Sequence, residues 1–215
     1  MPLDRIFKVG PHSIVAIWRI TETKQELSDL LGDKLYEPSK KINPVESVGL
    51  HWFASRVLLQ HVFEDSVFEI HKDSNNKPVL KVNGRDYFIS ISHSFEYATI
   101  FVDPHLETGI DIEKIDERVN RVSHKYMSEE ENLFTIHAHT TLYRTLIWAC
   151  KETLYKIYGR KEMDFKTHLL IHPFDINENG IIHGSILKSN APVLLDINYE
   201  IFDGYVLTYA LHLEE

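Results

Sequence analysis

The stretch TGIDIEKID, residues 108–116, alternates apolar and acidic side chains in the middle of the chain. In an extended strand, Ile110 and Ile112 point to one face, while Asp111 and Glu113 point to the other. Two carboxylates on one half-buried face repel each other and lose hydration. The stretch is therefore either an ordinary exposed edge strand or part of a site in which a cation offsets the negative charge.

The composition around this stretch is that of a globular protein. The chain has 215 residues, 43% hydrophobic and 11% aromatic, which is enough to bury a sizeable core. A formal net charge of −9 disfavours binding to nucleic acid or to an anionic membrane. The single cysteine, Cys150, the lack of a signal-peptide pattern and the lack of a long apolar run predict a cytoplasmic protein. We expect a monomer.

The chain has 13 histidines, but their spacing does not indicate a zinc site. The closest patterns are the pair His137 and His139 and the pair His168 and His172. The first pair is a weak pattern, and the second lies in a predicted strand just before Pro173, so neither forms the full ligand set of a zinc site.

The order of predicted elements repeats along the chain. A strand, a long helix near residues 45–63 and several strands are followed by a strand, a long helix near residues 141–158 and several strands. This order predicts an α+β fold of two similar subdomains, each a small, mostly antiparallel sheet packed on a long helix and related by pseudo-twofold symmetry. We expect halves at residues 1–107 and 108–215 that form one rigid unit with the active site in the cleft between them.

The second long helix contains the stretch WACKETLYK, residues 148–156. Glu152 and Lys156 are four residues apart and lie together, on roughly the opposite side from the apolar stripe. Taken alone, this spacing is typical of a surface ion pair. Trp148 and Tyr155 add aromatic bulk nearby, which indicates that this side is partly covered.

A third stretch, ISISHSF at residues 89–95, ends a predicted strand with Ser92, His93 and Ser94. The simplest interpretation is a strand end whose hydroxyls satisfy the backbone groups of a turn. A Ser–His dyad between Ser92 and His93 is excluded, because adjacent strand residues point to opposite faces. A turn that binds phosphate is the better functional interpretation.

Together the three stretches predict one site. Asp111, Glu113 and Glu152 supply the hard oxygen ligands that Mg²⁺ prefers, with water and a substrate phosphate completing the shell. Lys156 supplies a positive charge for a phosphate oxygen. The cation would offset the repulsion within the acidic strand.

These motifs resemble those of the 4′-phosphopantetheinyl transferase superfamily, in the longer type whose two similar halves form a pseudodimer. The resemblance depends on GIDIE and WACKETLYK in this order, with NKP at residues 76–78 and SISHS upstream. It implies transfer of the phosphopantetheine arm of coenzyme A to a serine of an apo acyl or peptidyl carrier protein. Adenosine 3′,5′-bisphosphate is released, as by a holo-[acyl-carrier-protein] synthase.

The resemblance also assigns roles to single residues. Asp111, Glu113 and Glu152 would hold Mg²⁺, and Glu152 and Lys156 would be catalytic. The residues that would contact coenzyme A are Arg56, Lys77, Pro78, Ser92, His93 and Lys156. The base that deprotonates the carrier serine is either Glu152 or a metal-bound water.

The chain departs from the family pattern at one point. The family has a basic residue one or two turns before Arg56, which grips the 3′-phosphate of coenzyme A. Here that region contains Ser47, Val48 and Gly49. Lys40 and Lys41 in the preceding loop are the candidate substitutes.

Two other functions remain open from the sequence. A metal-dependent phosphohydrolase acting on coenzyme A or on a nucleotide pyrophosphate would use the same ligands. A non-enzymatic binding module is the other, although the complete set of carboxylates and the lysine argues against it.

The segment ERVNRVSHKYM, residues 117–127, is the candidate docking surface for an acidic carrier protein. If it is helical, Arg118, Arg121 and Lys125 lie along one face. Val119, Val122 and Tyr126 recur on another face. The alternative is the solvated basic face of an ordinary amphipathic helix.

Overall fold

The chain divides into two compact units, Met1–Leu106 and Glu107–Glu215. The computed structural model describes residues 3–32, 46–64, 66–136, 139–160, 162–188 and 191–212, without the side chains of residues 46–48. Each unit has its own hydrophobic core. The rigid arrangement of the two halves and the cleft between them stay predictions.

The first unit is a six-stranded sheet with two helices. All its strand pairs are antiparallel, in the spatial order β1-β2-β6-β5-β4-β3. The strands are β1 Leu3–Val9, β2 Ser13–Arg19, β3 Phe68–Lys72, β4 Pro78–Val82, β5 Arg85–Ser94 and β6 Tyr97–Asp103. The helices are α1 Lys24–Leu31 and α2 Glu46–Val62.

Local sequence explains where these helices begin and end. Thr23 and Glu26 form a reciprocal capping box at the start of α1, and Gly32 ends that helix at a φ of 57°. Helix α2 packs on β2 and β6 and against α1. Its residues 54–59 are therefore all buried.

The second unit is a five-stranded antiparallel sheet with one long helix packed on it. The strands are β7 Glu107–Lys114, β8 Leu169–Ile171, β9 Asn179–Ile186, β10 Val193–Phe202 and β11 Tyr205–His212, in the spatial order β7-β11-β10-β9-β8. The helices are α3 Arg118–Val122, a 3-10 turn at Ser123–Lys125, α4 Glu129–Phe134 and α5 Thr140–Tyr158. The acidic stretch therefore lies on an edge strand of this sheet.

A glycine sets how closely α5 approaches β7. A Cβ added to Gly109 would overlap the carbonyl of Thr153 and lie 2.8 Å from Cγ1 of Ile157. Because glycine has no side chain, the helix backbone packs directly on the strand. Asp111 and Glu113 follow at two-residue steps on the same strand face, so both point towards α5.

The predicted fold class is confirmed: the protein is α+β, with two antiparallel sheets that each pack on a long helix. Ser128 and Glu131 form a reciprocal capping box at the start of α4. Strand β1 was not predicted from the sequence. The pseudo-twofold relation between the units stays a prediction.

Candidate active site

An ion pair joins β7 to α5 in the second unit. The Lys156 Nζ donates hydrogen bonds to Asp111 Oδ1 at 2.7 Å and to the carbonyl of Ile110 at 2.8 Å. Only 5% of the Asp111 side chain and 23% of the Lys156 side chain are exposed. The acidic stretch is thus an edge strand, but its first carboxylate is buried under the helix.

Glu113 and Glu152 extend this charged group. The indole Nε1 of Trp148 donates a hydrogen bond to Glu113 Oε1 at 2.9 Å. Burial, followed by the charge of Asp111, raises the pKa of Glu113 to about 7. The same two causes raise the pKa of Glu152 to about 7, against the opposing effect of Lys156. At neutral pH, ionisation of either carboxyl group therefore costs free energy.

The chemistry of this group fits a hard divalent cation. Three carboxylates with one lysine leave excess negative charge, which a cation bound to oxygen ligands would offset. In the part of the chain that the structure describes, no three acidic, histidine or cysteine side chains are already arranged around one ion. The ammonium group of Lys156 is bound to the Asp111 carboxylate, so a cation would compete with it for this carboxylate.

A second ion pair is fully buried and involves Lys151, the residue before Glu152 on α5. The ammonium of Lys151 donates three hydrogen bonds of 2.7 Å, to Glu131 Oε2 and to the carbonyls of Tyr126 and Phe165. Glu131 also accepts from the backbone N–H groups of Ser128 and Ile171. Neither Glu131 nor Lys151 is among the site residues that the sequence predicts. This network anchors the segments before and after α5 to the turn that carries Glu152.

A cavity of about 920 Å³ opens beside Glu152. The side chains of Tyr126, Trp148, Tyr155 and Phe165 line it. The ring centroids of Trp148 and Tyr155 each lie 5.5 Å from that of Phe165. The aromatic residues that the sequence placed beside Glu152 therefore form the wall of an open, mostly apolar pocket.

The basic segment borders this pocket, but it is not one continuous helix. Arg118, Arg121 and Lys125 are all exposed, with a 3-10 turn following Val122. Val119 packs on the core and Tyr126 is buried, whereas Val122 is 41% exposed. Val122 and Lys125 line the cavity. Val122 therefore lines the cavity instead of sharing the buried side of Val119, which differs from the shared face that the sequence predicts.

Three regions of the first unit carry the residues assigned to coenzyme A by resemblance. Lys77 precedes Pro78 at the start of β4, and its backbone N–H donates to Asp73 Oδ1 at 2.8 Å. On β5, Ser92 is buried and His93 is exposed. Since β4 and β5 are antiparallel with Val79 opposite Phe88, Lys77 and His93 lie towards the same end of the sheet.

Arg56, the remaining residue of this set in the first unit, lies on α2 and is only 9% exposed. Its guanidinium carbon sits 4.4 Å from the ring centroid of Trp52, and Nη1 donates to Ser55 Oγ at 3.1 Å. Its contact with coenzyme A stays a prediction.

Some predicted residues lie outside the described residues. They are Lys40, Lys41 and His137, together with the side chains of Ser47 and Val48. Their proposed roles stay predictions.

Comparison with known proteins identifies the class of protein. Residues 107–210, almost the whole second unit, match the family model described as the 4′-phosphopantetheinyl transferase superfamily. The resemblance noted in the sequence is confirmed, because the second unit matches this superfamily. A search of curated proteins finds no match.

The match of the second unit supports a transferase that handles phosphopantetheine. The described helices include none that combines the length and the apolar character needed to cross a membrane. The matched region contains the acidic strand and the α5 motif, so the family match and the charged group of the second unit coincide.

Proposed function

We propose that the protein transfers the 4′-phosphopantetheine arm of coenzyme A to a serine of an apo acyl or peptidyl carrier protein, in the manner of a holo-[acyl-carrier-protein] synthase. The observation that carries this proposal is the group formed by Asp111, Glu113, Glu152 and Lys156 between β7 and α5. It lies inside the region that matches the superfamily.

The reaction moves one phosphoryl-linked group between two oxygens. The serine Oγ forms a bond to the phosphorus that carries pantetheine, and the bond from that phosphorus to the bridging pyrophosphate oxygen breaks. The leaving group is adenosine 3′,5′-bisphosphate, which takes the electron pair. The serine proton must pass to a base. A coenzyme A pyrophosphate brings further negative charge to a group that is already acidic, so charge compensation dominates this chemistry.

Asp111, Glu113 and Glu152 would hold Mg²⁺, which when bound would neutralise charge on the pyrophosphate and on the leaving bisphosphate. Lys156 would leave its contact with Asp111 and place its ammonium on a phosphate oxygen. Glu152 would accept the serine proton.

The cavity beside Glu152 supports a protein acceptor. It runs from Glu152 to Val122 and Lys125, and Lys166 also lines it. Exposed arginine and lysine side chains at residues 118–125 would attract an acidic carrier, although the whole chain has a net charge of −9. A carrier docked on this segment would present its serine towards Glu152.

The test is incubation with coenzyme A and Mg²⁺ against a panel of apo acyl and peptidyl carrier proteins, followed by intact-mass measurement. We expect at least one carrier to gain one phosphopantetheine group. The gain should disappear when Mg²⁺ is chelated and with the Asp111→Asn variant. Each carrier with its acceptor serine changed to alanine is the matched control. Failure to load any carrier of the panel would overturn the proposal.

A further inference from the structure

Two histidines meet at one end of the sheet of the first unit, where the turn between β1 and β2 lies beside the segment that follows β6. The imidazole rings of His12 and His105 have centroids 5.8 Å apart and planes inclined by 85°. Both residues are exposed. Among the described residues, no hydrogen bond or ion pair occupies a ring nitrogen of either histidine. Each neutral ring therefore has a nitrogen lone pair available to a ligand from solution.

A buried carboxylate fixes the backbone at both histidines. Asp103 is only 2% exposed, and its Oδ1 accepts a hydrogen bond of 2.7 Å from the backbone N–H of His105. Its Oδ2 accepts from the hydroxyl of Ser13, the residue after His12. The antiparallel pairing of β2 with β6 holds the two segments side by side. The backbone positions of the pair are therefore set before any ligand binds.

The ring spacing is close to that of two imidazoles on one metal ion. Zn–N bonds of about 2.1 Å at a tetrahedral ion place the centres of two ligating rings roughly 5 Å apart. The observed 5.8 Å is only slightly longer. Because both side chains are exposed, small rotations within their rotamers can close the difference.

The histidines that the sequence pairs by spacing lack this arrangement. His168 Nδ1 accepts the backbone N–H of Asp164 at 2.9 Å, and His172 Nε2 lies 2.7 Å from Ser185 Oγ. Each of these two rings already has a partner. Four residues of extended chain also span about 13 Å, which is too far for two imidazoles to share an ion.

We propose that His12 and His105 form a binding site for a divalent transition metal ion of the zinc and copper class, with water completing its coordination. Imidazole nitrogen suits these ions, whereas Mg²⁺ prefers oxygen, so the site differs in chemistry from the carboxylate group of the second unit. Two protein ligands agree with the absence, among the described residues, of any group of three around one ion. A bound ion links the turn between β1 and β2 to the end of β6. This inference does not depend on the proposed transfer reaction.

The test follows the imidazole Cε1–H signals by NMR while Zn²⁺ is added to the metal-free protein. We expect the signals of His12 and His105 to shift together with one shared midpoint, each signal being assigned by its loss in a glutamine variant. In His12→Gln the midpoint of His105 should rise at least about tenfold, because the ion has lost one of its two protein ligands. His105→Gln should have the same effect on His12. The control His71→Gln removes an exposed imidazole from β3 and should leave the shared midpoint unchanged.

Three outcomes would overturn the inference. Separate midpoints for the two signals, or a midpoint of His105 that is unchanged in His12→Gln, would show that the rings make an aromatic contact only. Shifts of both signals by Mg²⁺ at the same concentrations would show that the site does not select a transition metal. Since both side chains are exposed, the metal-free variants should keep the thermal midpoint of the wild type, so weaker Zn²⁺ binding reports the lost ligand and not a fold defect.

Discussion

Replacing Lys151 by methionine should destabilise the protein far more than removing any exposed lysine. Methionine keeps most of the volume but removes the ammonium, so the Glu131 carboxylate stays buried without its counter-ion. Both side chains are 0% exposed. Two backbone carbonyls, those of Tyr126 and Phe165, lose their donor at the same time.

The size of the effect follows from these contacts. Removing one partner of a buried pair costs about 3–5 kcal/mol, because the other charge is left uncompensated. The carboxylate keeps two backbone N–H donors, from Ser128 and Ile171, which places the expected loss near the middle of that range, at about 4 kcal/mol. For a chain of this length each kcal/mol shifts the thermal midpoint by roughly 2–4 °C. The midpoint should therefore fall by about 8–16 °C.

Urea denaturation followed by circular dichroism measures the loss, with the slope of the transition checked for constancy between variants. Lys166→Met, at an exposed lysine, is the control and should change stability by less than about 0.5 kcal/mol. The double variant Lys151→Met with Glu131→Gln should recover part of the loss, since the neutral amide keeps the cap without a buried charge. A loss below about 1 kcal/mol for Lys151→Met would refute the reasoning.

Three further predictions follow from the site. Glu113 and Glu152 hold their protons up to about pH 7 in the folded chain but release them near pH 4.5 when unfolded, so their ionisation lowers stability as the pH rises between these values. In urea titrations, Glu152→Gln should therefore be about 1–2 kcal/mol more stable than wild type at pH 8 and equal to it at pH 4. The variant should also lose carrier loading. Equal stability of the two proteins at both pH values would contradict burial as the cause of the raised pKa. Gly109→Ala should force the facing helix turn away from β7 and cost about 2 kcal/mol or more by the same titration, and a neutral substitution would show that the close approach is dispensable. Arg121→Glu with Lys125→Glu should raise the KM for the carrier, and not that for coenzyme A, in steady-state assays. It should also reduce the weakening of docking by salt, and an unchanged carrier KM would place docking elsewhere.

The charged group of the second unit was predictable because short-range periodicity determines it. Asp111 and Glu113 are two residues apart in a strand, and Glu152 and Lys156 are four apart in a helix, so each pair shares a face in any fold that keeps these elements. The sequence did not show that Lys156 pairs with Asp111, since that contact depends on how β7 and α5 pack.

The Lys151–Glu131 pair was not predictable either, because it also depends on how two elements pack. The two residues are joined only when α4 folds against α5, and a lysine within an apolar helix face has no local signal for its partner. The contact between the rings of His12 and His105 likewise joins two segments that are distant in sequence. Such contacts are properties of tertiary structure.

Strand β1 was missed because Arg5 and Ile6 interrupt its alternation of apolar and polar residues. Arg5 faces inward and is half-buried, whereas Ile6 is 41% exposed. The pairing of β1 with β2 also shifts register between Leu3 and Arg5. With one basic residue on the inner face and one apolar residue on the outer face, the periodic signal of this short strand is weakened.

The most direct test of the proposed transfer is the ratio of its two products in a single quenched reaction with coenzyme A, Mg²⁺ and an apo carrier protein. Transfer predicts one adenosine 3′,5′-bisphosphate released for each carrier that gains phosphopantetheine, at every time point. Both products should be absent with Glu152→Gln. Release of the bisphosphate with no modified carrier would contradict the proposal and identify a phosphohydrolase instead.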